Sequence, residues 1–447
     1  MIFQSISRAN FSWFAALVVV AIIVVASAGS VHARSVQALQ TPSGITVWLA
    51  EDHGVPLVAL GFAIRGGSVL DPDGKDGLGS MLAEMVGEGA GELDAGGFKK
   101  ALANVGTQLT FSVSQRAFTG GLVTLRKALP RSTELLKLAL HSPQLDADDF
   151  ERVRREELAA LAFKDRSPQR IAIRRFYKRA FKGHPLARQV EGTPETLGSL
   201  THGDLLSHRS RLIHRGGLHV VVVGAISAED TVALVDDVFG NLPASSDPAA
   251  VARTKPIAFV ETQAAPKGHA VETAIFALPL PPLGHADFFP AMVLNQILGS
   301  GNFDARLTRE VRVKRGLTYA ISSQLLSDPV ASFSLGLLTT QPGNMDEAIE
   351  AVREIYDALA ERGPSEKELS NAKSSLHGSY LLGIDTSARL ANQLLGLWID
   401  ELPRDYTRVR KKGLEDVSLE DVRRVARDYF SPGNLRVLTL EATKRAQ

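Results

Sequence analysis

Paired imidazoles are a common way for a chain to hold a catalytic zinc, so the eleven histidines come first. None forms H-x-x-x-H or H-E-x-x-H, the spacings that place two ring nitrogens one helical turn apart. The densest group, His202, His208, His214 and His219, runs at intervals of six, six and five. Those intervals scatter side chains around a helix, so these residues are expected at the surface or in loops. Serine chemistry has no better footing. There is no G-x-S-x-G elbow, and the glycines around Ser300 follow an apolar run, AMVLNQILG, as a helix C-cap and loop would. Cysteine is absent, which removes thiolate nucleophiles, cysteine metal ligands and disulfides together. The loop DPDGKDG (71–77) hints at calcium, but Lys75 and Asp76 stand where a calcium loop needs an oxygen ligand and a glycine. It reads as a polar turn, with Asp76 placed to start the next helix.

One stretch remains, SGNFDARLTREVRVKRGLTYAIS (300–322). Its cations from Arg309 to Arg315 suit the C-terminal end of a solvated helix, where the helix dipole favours positive charge. A sharper reading is also open. Arg315 and Tyr319 flank a glycine-ended turn, and both can donate hydrogen bonds to carbonyl oxygens. Peptides offer such oxygens, and hydrolysis turns them into oxyanions.

The elements that must position these residues are regular. GITVWLA, PLVALGFAIRGG, QLTFSVS, GGLVTLRKAL and HVVVVGAI read as strands, the fourth running to a turn at Pro130. SMLAEMVGEGA, FKKALANVG, STELLKLAL and DDFERVRREELAALAFK read as helices. The segment PASSDPAAVARTKP (243–256) has linker composition. It separates a domain over 38–242 from another over 257–447. The two share an order of helix, glycine, strand, turn, strand, turn, helix, with Gly106 corresponding to Gly316. The expected class is therefore α+β, with two homologous domains, each a mostly antiparallel sheet flanked by helices.

Bulk properties bound the rest. A chain of 447 residues exceeds what one core usually supports, and a net charge of +1 without basic blocks gives no reason to expect nucleic acid. Residues 1–33 combine Arg8, an apolar run from 13 to 28 and a small-x-small site at 31–33. They are expected to form a cleaved signal peptide, delivering a periplasmic or secreted protein with no stable membrane insertion.

GITVWLAEDHGVPLVALGFAIRGGSVLDPDGKDGLGSMLAEM, FKGHPLARQVEGTPETLGSLTHGDLLSHRS and SGNFDARLTREVRVKRGLTYAIS, in that order, resemble the pitrilysin and mitochondrial processing peptidase family of zinc metallopeptidases. The likeness spans nearly all of the chain after its first segment, and implies one half of a clamshell peptidase. Members carry an inverted zinc motif, H-x-x-E-H, and a later glutamate ligand on another helix. By that resemblance the first histidine falls at Ser80, the general-base glutamate at Ala83 and the second histidine at Glu84. The late ligand falls near Ala160, within one turn. These departures imply no zinc in this chain. An alternative acid–base use of Glu84 with Glu88, Glu92, Glu156 or Glu157 is conceivable but weak. The family's arginine–tyrosine pair is matched by Arg315 and Tyr319. Gly299, Gly301 and Asn302 sit where relatives have a glycine-bearing loop near substrate, though a structural turn explains them equally. The resemblance therefore implies a non-catalytic subunit, paired with a homologous H-x-x-E-H partner that holds the zinc and acting on peptide substrates. The alternatives are a scaffold with no part in proteolysis and a hydrolase with an unrecognised site.

Overall fold

The computed structural model describes residues 35–245, 251–266, 270–300 and 303–442. The expected signal segment, Gly301, Asn302 and the centre of the 243–256 stretch lie outside them. Among the described residues, no helix is long and apolar enough to cross a membrane.

The first half builds a six-stranded sheet from β1 (Gln37–Gln40), β2 (Thr46–Glu51), β3 (Leu57–Arg65), β4 (Gln108–Val113), β5 (Ala117–Leu125) and β6 (Leu218–Gly224). Their order is β1-β2-β6-β3-β5-β4. The second half builds a five-stranded sheet from β7 (Val260–Ala264), β8 (Glu272–Pro279), β9 (Ala320–Ser327), β10 (Ser332–Thr340) and β11 (Arg436–Glu441), ordered β7-β11-β8-β10-β9. Leaving out β1, the two orders superpose strand for strand. β2 runs parallel to β6 as β7 runs parallel to β11, and every other neighbour is antiparallel in both. A packing detail repeats too. Phe62 lies opposite Gly120 and Phe276 opposite Gly336, and a Cβ on either glycine would strike the facing ring. Each glycine thus makes room for the aromatic ring that its sheet lays across the neighbouring strand.

Helices of the first half are α1 (Leu78–Val86), α2 (Ala95–Asn104), α3 (Leu129–His141), α4 (Ala147–Lys164), α5 (Pro168–Ala180), α6 (Pro194–Ser199), α7 (His202–Leu212) and α8 (Ala228–Phe239). Those of the second are α9 (Phe288–Gly299), α10 (Met345–Arg362), α11 (Glu366–Leu382), α12 (Ser387–Ile399), α13 (Tyr406–Glu415) and α14 (Leu419–Tyr429), with a π-helix at Thr308–Lys314. Strand alternation decides what each covers. Val58, Leu60, Phe62 and Ile64 of β3 face the first half's own helices, while Ala59 and Ala63 face the opposite way. That second face is covered by Leu390, Ala391, Leu394 and Leu395 of α12, which belongs to the other half. The reverse also holds. Ile275 and Ala277 of β8 and Leu438 and Leu440 of β11 pack on Ile171, Ala172, Phe176 and Ala180 of α5. The halves have exchanged helices.

Two local expectations are corrected. β5 stops at Leu125, and Pro130 lies in the first turn of α3 rather than at a turn ending the strand. Proline is tolerated there because the first helical N–H groups have no intrahelical acceptor. Asp76 does not start α1. Gly77, at φ 96°, is the N-cap residue, and the buried Asp71 carboxylate accepts from the N–H groups of Gly77 (3.0 Å) and Gly79 (2.9 Å). Asp76 instead pairs with Arg188.

Candidate functional site

Helix α1 turns Leu78, Met81, Leu82 and Met85 into the core at one-turn spacing. That leaves position 80 half-buried and position 84 exposed, while Ala83 is buried. Residues 80 and 84 share a face, so the backbone still offers two ligand positions one turn apart. The side chains do not fit zinc. Ser80 brings a hydroxyl, Ala83 brings nothing and Glu84 brings one carboxylate, whereas a zinc site needs three good protein donors. Among the described residues, no cluster of three histidines, aspartates or glutamates is arranged to hold a metal.

Ala160 is half-buried on α4, the helix that packs against α1. The carboxylate acting most strongly on Glu84 belongs to Glu157, one turn before Ala160. Crowding by surrounding protein, then Glu157 and Glu88, pushes the Glu84 carboxyl above its ordinary value, and Lys164 offsets this in part. Glu88 is held by Lys99 (2.9 Å) and Arg152, and Arg152 also binds Asp149 (2.9 Å) and Glu156 (3.1 Å). The acidic patch is thus largely an ion-pair network around Arg152, with Glu84 outside it.

The histidines were expected at the surface or in loops, and the structure corrects this for His208, buried in α7, and His219, buried in β6, while His214 does lie in the loop between them. His208, His214 and His219 are all at most 2% exposed. His208 Nε2 lies 3.1 Å from the Asp71 carboxylate that caps α1, both side chains being buried. His219, in β6, is stacked on Trp398 of α12 and meets Trp48 of β2 edge-on. Burial, then the Arg65 charge, pushes its pKa down to about 3, so it is a neutral aromatic spacer between sheet and exchanged helix. His202 is half-buried, its ring against Leu145.

Arg315 and Tyr319 flank one turn, and both are exposed. The π-helix ends at Lys314, Arg315 is its C-cap and Gly316 takes φ 65°. The end of β10 then holds the backbone from Leu317 to Tyr319. Thr340 Oγ1 donates to the Leu317 carbonyl (2.6 Å), Thr318 Oγ1 to the Thr339 carbonyl (2.6 Å), and the Tyr319 N–H to that same carbonyl (2.9 Å). Leu317 and Thr318 are buried, so the turn displays Arg315 and Tyr319 outward, Tyr319 being 59% exposed. Within the chain Arg315 Nη2 donates to Glu354 of α10 (2.5 Å). A guanidinium has five N–H donors, so most remain for another acceptor. The turn is tied to the exchanged helix as well, because Gln169 in the first turn of α5 donates to Thr339 Oγ1 (3.3 Å). Among the described residues, no hydrogen bond or ion pair joins Arg315 or Tyr319 to Ser80, Ala83 or Glu84.

Gly299 is buried as the last residue of α9, where an added Cβ would lie 2.1 Å from Ser323 Oγ and 2.6 Å from its backbone nitrogen. Close packing of α9 on β9 accounts for this glycine. Sequence reasoning missed the Asp71–His208 pair, since Asp71 precedes its helix by too many residues for a capping signature.

Comparison with known proteins accords with this geometry. Residues 46–194 match the Insulinase (Peptidase family M16) family, and residues 199–376 match the Peptidase M16 inactive domain. A non-peptidase homologue, YmxG, of Helicobacter pylori is 25% identical over 384 residues, 85% of this chain and 87% of that protein. The mitochondrial-processing peptidase subunit beta of Lentinula edodes is 24% identical over 404 residues, 87% of this chain and 86% of that protein. The crystal structure of a peptidase M16 inactive domain from Pseudomonas fluorescens superposes with a TM-score of 0.83 at 23% identity, covering 92% of this chain and 98% of that one. The chain belongs to the insulinase-like M16 peptidase family.

Proposed function

We propose that this protein is the non-catalytic subunit of an exported, heterodimeric zinc peptidase. A homologous partner with an intact H-x-x-E-H motif holds the metal and activates water there. This chain walls half of the chamber and turns Arg315 and Tyr319 toward the bound peptide, orienting it and stabilising the developing oxyanion. The observation that carries this reading is the contrast between the two candidate sites. Helix α1 presents Ser80, Ala83 and Glu84, which make no zinc-binding set, while the arginine–tyrosine turn is held by β10 with Tyr319 exposed.

The experiment is co-purification with the partner, followed by peptide cleavage assays on the complex. Arg315→Ala and Tyr319→Phe are each expected to lower kcat/KM by about tenfold or more, as loss of an oxyanion donor does. Unchanged cleavage by both variants sinks the shared-site idea. The Arg315–Glu354 ion pair favours a second reading, a scaffold in which Arg315 only ties the turn to α10. On that reading Arg315→Ala shifts stability and leaves cleavage by the complex intact.

A further inference from the structure

A cavity of about 850 Å³ opens in the second half, between α9, the α11–α12 hairpin and α13. Its walls are mostly apolar, with Phe288, Met292, Leu325 and Leu397 among them, and the amides of Asn392 and Gln393 also line it. Two polar residues of α13, Tyr406 and Arg410, stand one turn apart on the face that lines the cavity. They are only 7% and 8% exposed.

Among the described residues, no carboxylate pairs with Arg410. Its Nη1 donates to the Leu376 carbonyl (3.0 Å), its Nη2 lies 3.8 Å from the Met292 sulfur, and its guanidinium rests on the Tyr380 ring at 4.6 Å. The other charges of the lining are matched, Arg389 with Asp385 and Asp400 with Arg116. A buried cation is costly unless paired, and an arginine kept unpaired at a cavity wall calls for an anion from outside. A second polar group on the lining is unsatisfied, the buried hydroxyl of Ser327. The Tyr406 hydroxyl stays protonated, its pKa pushed up to about 12 by burial, so it is a donor beside the guanidinium.

We infer that this cavity binds the free C-terminal carboxylate of a short apolar peptide, held by Arg410 and Tyr406. The apolar walls take the terminal side chains, and Asn392 and Gln393 meet backbone amides. A long-chain fatty acid offers the same carboxylate on an apolar chain but lacks those amides. The inference rests on the cavity alone and requires neither a partner nor proteolysis.

The test is titration calorimetry on the purified full chain with three probes: an eight-residue leucine- and alanine-rich peptide, its C-terminal amide, and dodecanoate. The free-acid peptide is expected to bind one to one, and the amide about tenfold more weakly or worse, since charge-assisted bonds to the guanidinium are lost. Arg410→Met is expected to abolish binding, and Tyr406→Phe to weaken it several-fold. Equal binding of acid and amide, or undiminished binding by Arg410→Met, overturns the carboxylate site. Binding of dodecanoate without the peptide overturns the peptide as ligand.

Discussion

Asp71 caps the start of α1 from outside the helix. Its carboxylate accepts from two backbone N–H groups at the start of α1 and faces His208, with almost no solvent access. Asp71→Ala leaves those two N–H donors without their acceptor. At about 1–3 kcal/mol for each buried group left unsatisfied, the expected loss is about 3 kcal/mol, read as a lower urea midpoint at unchanged slope. Glu84 behaves oppositely. Its folded pKa is raised above 4.5, so the folded state binds the proton more tightly than the unfolded chain. Stability from this group is therefore lost as pH rises from 4.5 through the folded value, and none is lost below 4.5. Glu84→Gln is expected to stabilise the protein at pH 7 by less than about 1 kcal/mol, because an exposed group is screened by solvent. The gain should vanish below pH 4.5, and a gain that persists at pH 3 contradicts the crowding of Glu84 by Glu157 and Glu88.

At the scale of elements, Gly299 separates packing from binding. Its missing side chain lets the end of α9 reach the backbone of β9 at Ser323. Gly299→Ala is expected to cost about 1–3 kcal/mol in chemical denaturation of the isolated chain, with no substrate present. If stability is unchanged and only peptide cleavage by the complex falls, the glycine serves substrate instead. The elements themselves were legible where local pattern decides them. Branched apolar runs mark β2, β3 and β6, and the correspondence of Gly106 with Gly316 reappears as two left-handed glycines, at φ 62° and 65°, each leading into an edge strand. The fate of amphipathic faces was not legible. The apolar side of α5 announces burial, but nothing in IAIRRFYKRA says that the covered sheet is the other half's. The buried histidines escaped for the same reason, since His219 is buried by Trp398, far along the chain. The candidate site was half legible. The residue types at 80, 83 and 84 could be read directly, while the hydrogen bonds that hold the Arg315–Tyr319 turn come from Thr339 and Thr340 across a sheet register.

For the whole molecule, the exchange of α5 and α12 makes one folding unit of two sheets. Each sheet has an apolar face covered chiefly by the other half's helix. Separating the halves would expose Ala59, Ala63, Val221 and Val223 on one side and Ile275, Leu438 and Leu440 on the other. Exposed sheet faces of this sort promote association and aggregation. A chain cut within residues 246–250 is therefore expected to stay together as a nicked complex that elutes with the intact protein. Residues 35–245 expressed alone are expected to be insoluble. A substitution in one half should likewise loosen the other. Leu394→Asn on α12 places an amide against β3 and β6, so faster amide exchange is expected in those strands, with smaller changes in the distant second sheet. If the nicked halves separate under native conditions, or exchange rises only within α12, the two sheets are independent and the crossed helices are merely adjacent surfaces. If the prediction holds, the Arg315–Tyr319 turn is anchored through Gln169 of α5 to the same cooperative unit as α1, so the two candidate sites are held at a fixed separation.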